Sequence, residues 1–216
     1  MQIEPNERLE ILETARHLLV PYDFSSPKVM DLTELPLLHS LILCGRDTFP
    51  GNLFNPSQFI RVQKNMKVLH FVYGFSSVAF KSLKHLRYLR LEDRLKTLPE
   101  STSSLHNLQT LNLRSCCFLE MLPKGMKHLK NLRYLDLRRF NSLTCMHAGL
   151  GQLTCLCKLS KFIVGKDNGC GIDELKELAL EGKLSISGLH NVTSSMEAKN
   201  DNLIKKQNLR SLTLSW

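Results

Sequence analysis

Arginine–tyrosine pairs occupy equivalent places in two similar segments of the chain, residues 86–91 and 132–137. Both residue types are enriched at the energetic centres of protein interfaces, because they combine a large contact area with directional hydrogen-bond donors. Polar side chains at alternating positions of the same stretch extend this set. The candidate protein-binding residues are His70, Tyr73, Arg87, Tyr88, Arg90, Gln109, Thr110, Asn112, Arg114, Arg133, Tyr134, Asp136, Arg138 and Arg139. The alternative interpretation is that these side chains only form solvated strand faces.

The cysteine spacing does not match that of a structural zinc site. Such sites pair a Cys-x₂₋₄-Cys motif with a second ligand pair at a defined distance. Cys155-x-Cys157 and the adjacent Cys116 and Cys117 lack this arrangement, so we expect no bound metal and no cofactor. Seven cysteines at irregular spacings instead indicate reduced thiols. We expect Cys116 to donate to the backbone at a turn and the others to fill small apolar spaces.

The histidines do not form a catalytic arrangement with a nucleophile. His85, His106 and His128 recur beside leucines, which reflects a repeating sequence rather than a triad. The chain has no Gly-x-Ser-x-Gly motif, and its two Gly-Lys pairs continue with Asp167 and Leu184 instead of the Ser or Thr of a phosphate-binding loop. The sequence therefore predicts no enzymatic activity.

Apolar residues recur through the chain in the pattern apolar-x-x-apolar-x-apolar. The mean interval between copies is about 24 residues, inside the usual range of about 20–29 for a leucine-rich repeat. The copies are regular between residues 86 and 137 and weak where Lys161 occupies the third apolar position. The pattern predicts an α/β solenoid: a leucine-rich repeat horseshoe with a parallel concave β-sheet and an irregular or helical convex side. The first residues of the nine copies are Ala15, Leu38, Met66, Leu86, Leu108, Leu132, Leu156, Glu181 and Leu209.

Alternation along each strand places apolar and polar residues on opposite faces. Leu111 is therefore expected in the core, while Thr110, Asn112 and Arg114 face outward on the concave sheet. Burial of each inward leucine should contribute about 1.5–3 kcal/mol. The short strands thus position the candidate binding residues along the concave surface.

The segments between the copies predict the convex side. Pro99 and Pro123 fix φ and begin tight turns, and residues 123–130 are expected to hold one or two helical turns. Firmer helices are predicted over residues 173–180, from carboxylates near the N-terminus, and over residues 194–206, from a Ser-x-x-Glu capping box.

We divide the chain at residue 15. Residues 1–14 form a polar N-terminal segment, the remnant of a junction, with a short helix over residues 7–14 that Asn6 caps. Residues 15–216 form the leucine-rich repeat domain, with about eight to nine irregular repeats. The sequence stops directly after a strand without a polar cap, and solenoids need capping repeats. We therefore expect the domain to be truncated at its C-terminus.

Composition narrows the partner class and the compartment. A net charge of +9, from 29 Lys and Arg against 20 Asp and Glu, favours an acidic partner surface. Nucleic acid is disfavoured, because no module combines aromatic and basic residues in a known register. No apolar run has the length that spans a bilayer, and the first residues lack the apolar core of a secretory signal. We expect a cytoplasmic protein, with the nucleus as the second compartment.

Longer runs of the sequence carry a family resemblance. HLRYLRL, LKTLPESTSSLHNLQTLNLRSCCFLEMLPKGMKHLKNLRYLDL and EAKNDNLIKKQNLRSLTLSW resemble the leucine-rich repeat region of plant intracellular immune receptors, the coiled-coil nucleotide-binding leucine-rich repeat disease resistance proteins. The resemblance covers residues 15–216 and is most specific from residue 85 onward. The phosphate-binding loop and the nucleotide-binding module of that family are absent from the given residues.

The resemblance implies a protein–protein interaction module that acts in the defence response. In that family, the repeat domain recognises a pathogen effector or a guarded host protein, and it keeps the receptor inactive by contacting the nucleotide-binding module. The implied partner is thus an acidic surface of an effector, of a guarded host protein or of the nucleotide-binding module. The alternative is a truncated receptor fragment without independent activity.

Overall fold

Within the residues that the structure describes, ten strands form the framework of the protein, and most of them are followed by a return segment. The computed structural model describes residues 15–21, 35, 37–44, 56–72, 80–92, 94–139, 142–146, 148–192, 203 and 206–216. The strands are β1 His17–Pro21, β2 Ser40–Cys44, β3 Val68–Val72, β4 Tyr88–Glu92, β5 Thr110–Asn112, β6 Tyr134–Asp136, β7 Lys158–Leu159, β8 Lys161–Ile163, β9 Gly182–Ser187 and β10 Leu209–Leu214. Each of the nine predicted six-residue copies contains one of these strands, which confirms the solenoid.

The strands pair in parallel and in chain order. β1 to β7 form one sheet, and β8, β9 and β10 form a second sheet of three strands. From β3 to β7, the register aligns one inward leucine from each copy, and these five leucines are buried. Stacking the leucines of successive repeats is what makes the core continuous along the solenoid. The aligned leucines of β3 to β7 are Leu69, Leu89, Leu111, Leu135 and Leu159.

The break between the two sheets explains the poor fit of Lys161 to the repeat pattern. Ser160 separates β7 from β8, and the inward residue is Phe162, which is fully buried and pairs with Ile186 of β9. One additional residue in this copy has shifted the apolar position by one, so Lys161 turns outward. The backbone N–H of Ser185 donates to the carbonyl of Ser160 at 3.1 Å, which joins the two sheets at this point.

The convex side consists mainly of 3₁₀ turns. Pro99 and Pro123 precede the 3₁₀ helices Glu100–Ser104 and Lys124–His128, with φ of −56° and −59°. The predicted helical turns over residues 123–130 are therefore confirmed. The only α-helix among the described residues, α1 (Pro56–Val62), was not predicted from the sequence.

The predicted helix over residues 173–180 is wrong. The structure has only the 3₁₀ helix Ile172–Leu175 there. Leu178 and Leu180 are both buried, and a spacing of two residues requires extended backbone, because side chains alternate in a strand. The predicted helix over residues 7–14 lies outside the described residues. Most of residues 194–206 lies outside them as well.

Cys116 has the turn role that its position predicts. Its side chain is buried, and its Sγ donates to the carbonyl of Leu91 in the preceding repeat at 3.3 Å. This bond satisfies a backbone acceptor where the chain leaves the sheet. The boundary between residues 1–14 and the repeat domain remains a prediction, because the description begins at residue 15.

Candidate functional site: the concave protein-binding face

Two rows of outward side chains cross the strands of the concave sheet. Neighbouring parallel strands lie about 4.8 Å apart, so aligned residues form continuous rows. We call them the first row and the second row. From β3 to β7, the first row consists of Val68, Tyr88, Thr110, Tyr134 and Lys158. From β3 to β6, the second row consists of His70, Arg90, Asn112 and Asp136.

A carboxylate at the end of β4 holds two side chains of the second row. Glu92 accepts a hydrogen bond from Nε2 of His70 at 2.9 Å and forms an ion pair with Arg90. Burial lowers the pKa of His70 and the charge of Arg90 also lowers it, whereas the hydrogen bond to Glu92 opposes them. The net effect is a lowered pKa of His70. Sequence analysis missed Glu92, although aligning the copies places it beside both residues.

The second row continues on β5 with a neutral side chain. Oδ1 of Asn112 accepts a hydrogen bond from the backbone N–H of Arg114 at 3.1 Å, which turns the chain at the end of the strand. Arg114 is half-buried. The structure gives its guanidinium no acceptor within the described ranges. Arg114 therefore keeps its charge-assisted donors available to a partner.

On β6 the same position holds an aspartate that binds its own neighbour. Both oxygens of Asp136 accept hydrogen bonds from the Arg138 guanidinium, with Nε at 2.9 and 3.1 Å and Nη2 at 2.5 Å. The backbone N–H of Arg138 donates to Oδ1 at 3.1 Å, and the hydroxyl of Tyr134 donates to Oδ2 at 3.0 Å. These three residues form what we call the Asp136 clamp.

The Asp136 clamp changes the expected role of its aspartate. The Asp136 side chain is 0% exposed, so it is not the outward-facing contact that the sequence predicted, because its neighbours cover both oxygens. Burial alone would raise the pKa of Asp136, but the hydrogen bonds from Arg138 and Tyr134 outweigh burial and lower it to about 2. Burial and the hydrogen bond to Asp136 raise the pKa of Tyr134. Asp136 is thus an internal anchor of the concave face.

Four other candidates lie beside the rows. Arg87, Gln109 and Arg133 directly precede β4, β5 and β6, and all three are exposed at the edge where these strands begin. Arg139 follows the Asp136 clamp and is exposed, with a φ of 67°. Tyr73 lies outside the described residues. The structure therefore brings together the strand residues in the rows and places the three pre-strand residues on the sheet's edge.

Among the residues that the structure describes, no group of three or more His, Cys, Asp or Glu side chains could hold a metal ion. None of the described helices has the length and apolar character required to cross a membrane.

A curved array of parallel strands with polar rows on its concave side defines a solenoid of the protein-interaction class. The sequence profile of the family described as "Leucine-rich repeat region" matches residues 56–216. The chain therefore belongs to the leucine-rich repeat region family, whose fold typically serves protein interaction.

The chain is also similar to plant disease resistance proteins. It is 46% identical over 140 residues to a putative disease resistance protein of Arabidopsis thaliana. The matched region covers 64% of this chain and 10% of that protein. It is 46% identical over 110 residues to the disease resistance protein RGA2 of Solanum bulbocastanum, which covers 51% of this chain and 11% of that protein. The chain thus spans about a tenth of the length of these relatives.

A solved structure supports the fold. A leucine-rich repeat protein of Leptospira interrogans superimposes with a TM-score of 0.70 over 97% of this chain and 57% of that protein, at 20% sequence identity. At this identity, the likeness concerns the arrangement of the strands and repeats.

Proposed function

We propose that this chain is a protein-binding module of plant defence and that it binds its partner through the concave face. One observation carries the proposal: the guanidinium of Arg114, two residues after Asn112 of the second row, has no acceptor of its own among the described residues. The half-buried Tyr88 and Thr110 supply contact area on the neighbouring strands. Arginine and tyrosine are both residue types that are enriched at interface centres.

The partner in this proposal is an acidic protein surface. The net charge of +9 supports it, and so does the resemblance to plant disease resistance proteins. Within a longer receptor in the cytoplasm, the module would recognise a pathogen effector or a guarded host protein. In the resting receptor, the same face would contact the nucleotide-binding module. No chemical step is assigned to the chain.

The second candidate is a fragment without independent activity that associates with other chains. Leu212 and Leu214 of β10 are 41% and 51% exposed, and Trp216 is 85% exposed. Exposed apolar residues on a strand edge promote association with other chains. Size-exclusion chromatography separates the candidates, since a monodisperse monomer contradicts the fragment and a large soluble aggregate supports it.

The experiment begins with the transcript upstream of Met1. A phosphate-binding Gly-x-x-x-x-Gly-Lys-Ser/Thr in the same reading frame would supply the nucleotide-binding module to be expressed. Isothermal titration calorimetry then measures its binding to the chain and to the Tyr88→Ala, Arg114→Glu variant. We expect a roughly tenfold or greater loss of affinity, because two interface-centre residues are removed.

The control is a charge reversal away from the concave face. Lys96→Glu changes an exposed convex lysine whose side chain is 78% exposed and should leave affinity within about twofold. Equal binding by the wild type and the concave variant would show that this face is not the interface. Absence of an in-frame module would overturn the regulatory part of the proposal.

A further inference from the structure

Exposed basic residues form two further rows along the edge where β3 to β6 begin. In each repeat, one residue lies two positions before the first apolar residue of the copy, and another lies directly after it. Three of the four repeats have a basic residue at both positions, and all six are exposed. We name this surface the basic edge. It consists of Lys64, Lys67, Lys84, Arg87, Lys130 and Arg133.

Backbone hydrogen bonds hold the basic edge in register. The N–H of Arg87 donates to the carbonyl of Lys67, and the N–H of Arg133 donates to the carbonyl of Gln109, both at 2.8 Å. Side-chain amides bind the turn of each preceding repeat: Asn107 Nδ2 donates to the carbonyl of Lys84 at 2.8 Å. The amide of Asn131 does the same to His106 at 2.8 Å. The charges are therefore mounted on a rigid ladder with a spacing of about 4.8 Å per repeat.

Acidic residues are absent from the sequence of this edge. Residues 61–67, 81–88, 103–110 and 127–134 contain no Asp or Glu. The run of positive charge ends at Lys158, which forms an ion pair with Glu181 at 3.4 Å. The convex side differs, since Lys96 there is paired with Glu120 at 3.6 Å. Charge is thus segregated, and neighbouring cations within about one Debye length act together.

We propose that the basic edge is a docking surface for an acidic, extended polypeptide segment. From Lys67 to Arg133 the ladder rises by three strand spacings, about 14 Å, which matches about four to five extended residues. In an extended segment with a carboxylate at alternate positions, all the carboxylates lie on one face, and this face would contact the lysines and arginines of the basic edge. His106 and Gln109 of the β5 repeat occupy the same two positions between the basic repeats of β4 and β6, where the segment would carry an uncharged residue.

The composition of the edge favours protein over nucleic acid. Binding of single-stranded nucleic acid relies on aromatic side chains that stack with bases. None of the six residues of the basic edge is aromatic, and the tyrosines that follow Arg87 and Arg133 are half-buried. A duplex is read by a helix or ribbon that enters a groove, and these turns offer neither. The carboxylates of a polypeptide need only the charges and donors present.

The proposal rests on the protein-binding function proposed above and adds a second surface to it. Arg87 and Arg133 were grouped with the concave residues from the sequence, but their place before the strands assigns them to this edge. A partner bound in the concave face would therefore extend an acidic tail over the edge.

The test uses the whole chain and a fluorescein-labelled peptide of alternating Glu and Ser, about eight residues long. Fluorescence anisotropy at low salt should show binding that weakens steeply as NaCl is added. The Lys84→Glu, Lys130→Glu variant should bind roughly tenfold or more weakly, because it places negative charge in two of the three basic repeats of the ladder. Both residues are exposed, so circular dichroism should be unchanged.

The matched control has the same net charge as that variant. Lys96→Glu and Lys166→Glu alter two exposed lysines outside the edge, and affinity should stay within about twofold. Equal weakening in both double variants would show that net charge alone attracts the peptide and would overturn the proposal. So would an absence of peptide binding to the wild type, or tighter binding of a single-stranded oligonucleotide of equal charge.

One further variant separates this inference from the proposed function. Tyr88→Ala, Arg114→Glu alters the concave face and should leave peptide binding at the edge within about twofold to threefold. One outcome is that the module from upstream of Met1 does not bind the wild type, whereas the affinity for the peptide falls only in the Lys84→Glu, Lys130→Glu variant. In that case the proposed concave interface is wrong and the basic edge stands. If the module binds the wild type and the edge variant keeps its affinity for the peptide, only the proposal for the basic edge is wrong.

Discussion

The ends of β5 and β6 carry nearly the same sequence and hold their arginines in opposite states. Asn112-Leu113-Arg114 and Asp136-Leu137-Arg138 are aligned in the sheet, with Asn112 directly beside Asp136. In both, the side chain accepts the N–H of the residue two positions on, at 3.1 Å. Only Asp136 also binds the guanidinium. An amide in place of a carboxylate decides whether the arginine is held internally.

The candidate arginines therefore differ in whether their guanidinium is available to bind a partner. Arg90 is paired with Glu92 and Arg138 is held by Asp136, so a partner must displace a carboxylate to bind either. Arg114 needs no such displacement. Reversing the charge of Arg90 or Arg138 would also leave Glu92 or Asp136 beside a like charge, which is destabilising. Arg114 is therefore the better substitution for testing the concave face.

The largest expected effect is a loss of stability, and it tests whether the β5 and β6 repeats differ only on their outer face. Leu111 and Leu135 are aligned and fully buried, so Leu111→Ala and Leu135→Ala should each lower the free energy of unfolding by about 2–5 kcal/mol. The two values should agree within about 1 kcal/mol, measured by urea denaturation. A loss below about 1 kcal/mol at either site would contradict its place in the core.

The next prediction gives the end of β6 the amide that is found at the end of β5. Asp136→Asn keeps an acceptor for the N–H of Arg138 but removes the carboxylate that binds the guanidinium, so stability should fall by about 2–3 kcal/mol. The control is the same substitution in an Arg138→Met background, where the cost should shrink because the pair is already broken. Equal costs in both backgrounds would show that the clamp does not contribute.

A pH dependence should accompany the clamp. The pKa of Asp136 is about 2 in the folded protein, against an ordinary value of 3.8. Because the folded pKa is the lower one, the stabilisation is present above pH 4 and is lost as the pH falls from there to about 2. The advantage of the wild type over Asp136→Asn should therefore shrink by about 2 kcal/mol between pH 5 and pH 2. An unchanged difference in urea unfolding across this range would mean that the carboxylate is not held by Arg138.

The repeat pattern made most of the strands predictable from the sequence, including the weakest copies. Glu181 begins a poor copy, yet β9 follows it at Gly182–Ser187. Strand positions are readable because each copy must present its apolar residues to the same core as its neighbours. The exception at Lys161 arose from one inserted residue, which a fixed spacing cannot anticipate.

Contacts between repeats were less predictable than strands. The oxygens of Glu174 accept the N–H groups of Gly149 and Gly151, at 2.9 and 2.5 Å, so this carboxylate caps a turn of the preceding repeat instead of its own helix. Local propensity assigned it to a helix because the sequence does not show a partner over twenty residues away. The burial of Asp136 escaped notice for a related reason, since alternation gives a side chain's direction but not what covers it.

The smallest expected effect reverses the contrast on β5. Asn112→Asp would give Arg114 a carboxylate like that of Asp136, but the new charge would stand directly beside Asp136 across the sheet. The gain from the new pair and the repulsion between aligned carboxylates are of similar size, so the free energy of unfolding should change by less than about 1 kcal/mol.

Binding of an acidic partner should nevertheless weaken, because Arg114 becomes internally paired. Calorimetry with a nucleotide-binding module encoded in frame upstream of Met1 measures this, and Asn168→Asp in the exposed loop after β8 serves as the charge-matched control. If Asn112→Asp binds as the wild type does, the availability of Arg114 does not determine recognition, and the difference between the two strand ends is structural only.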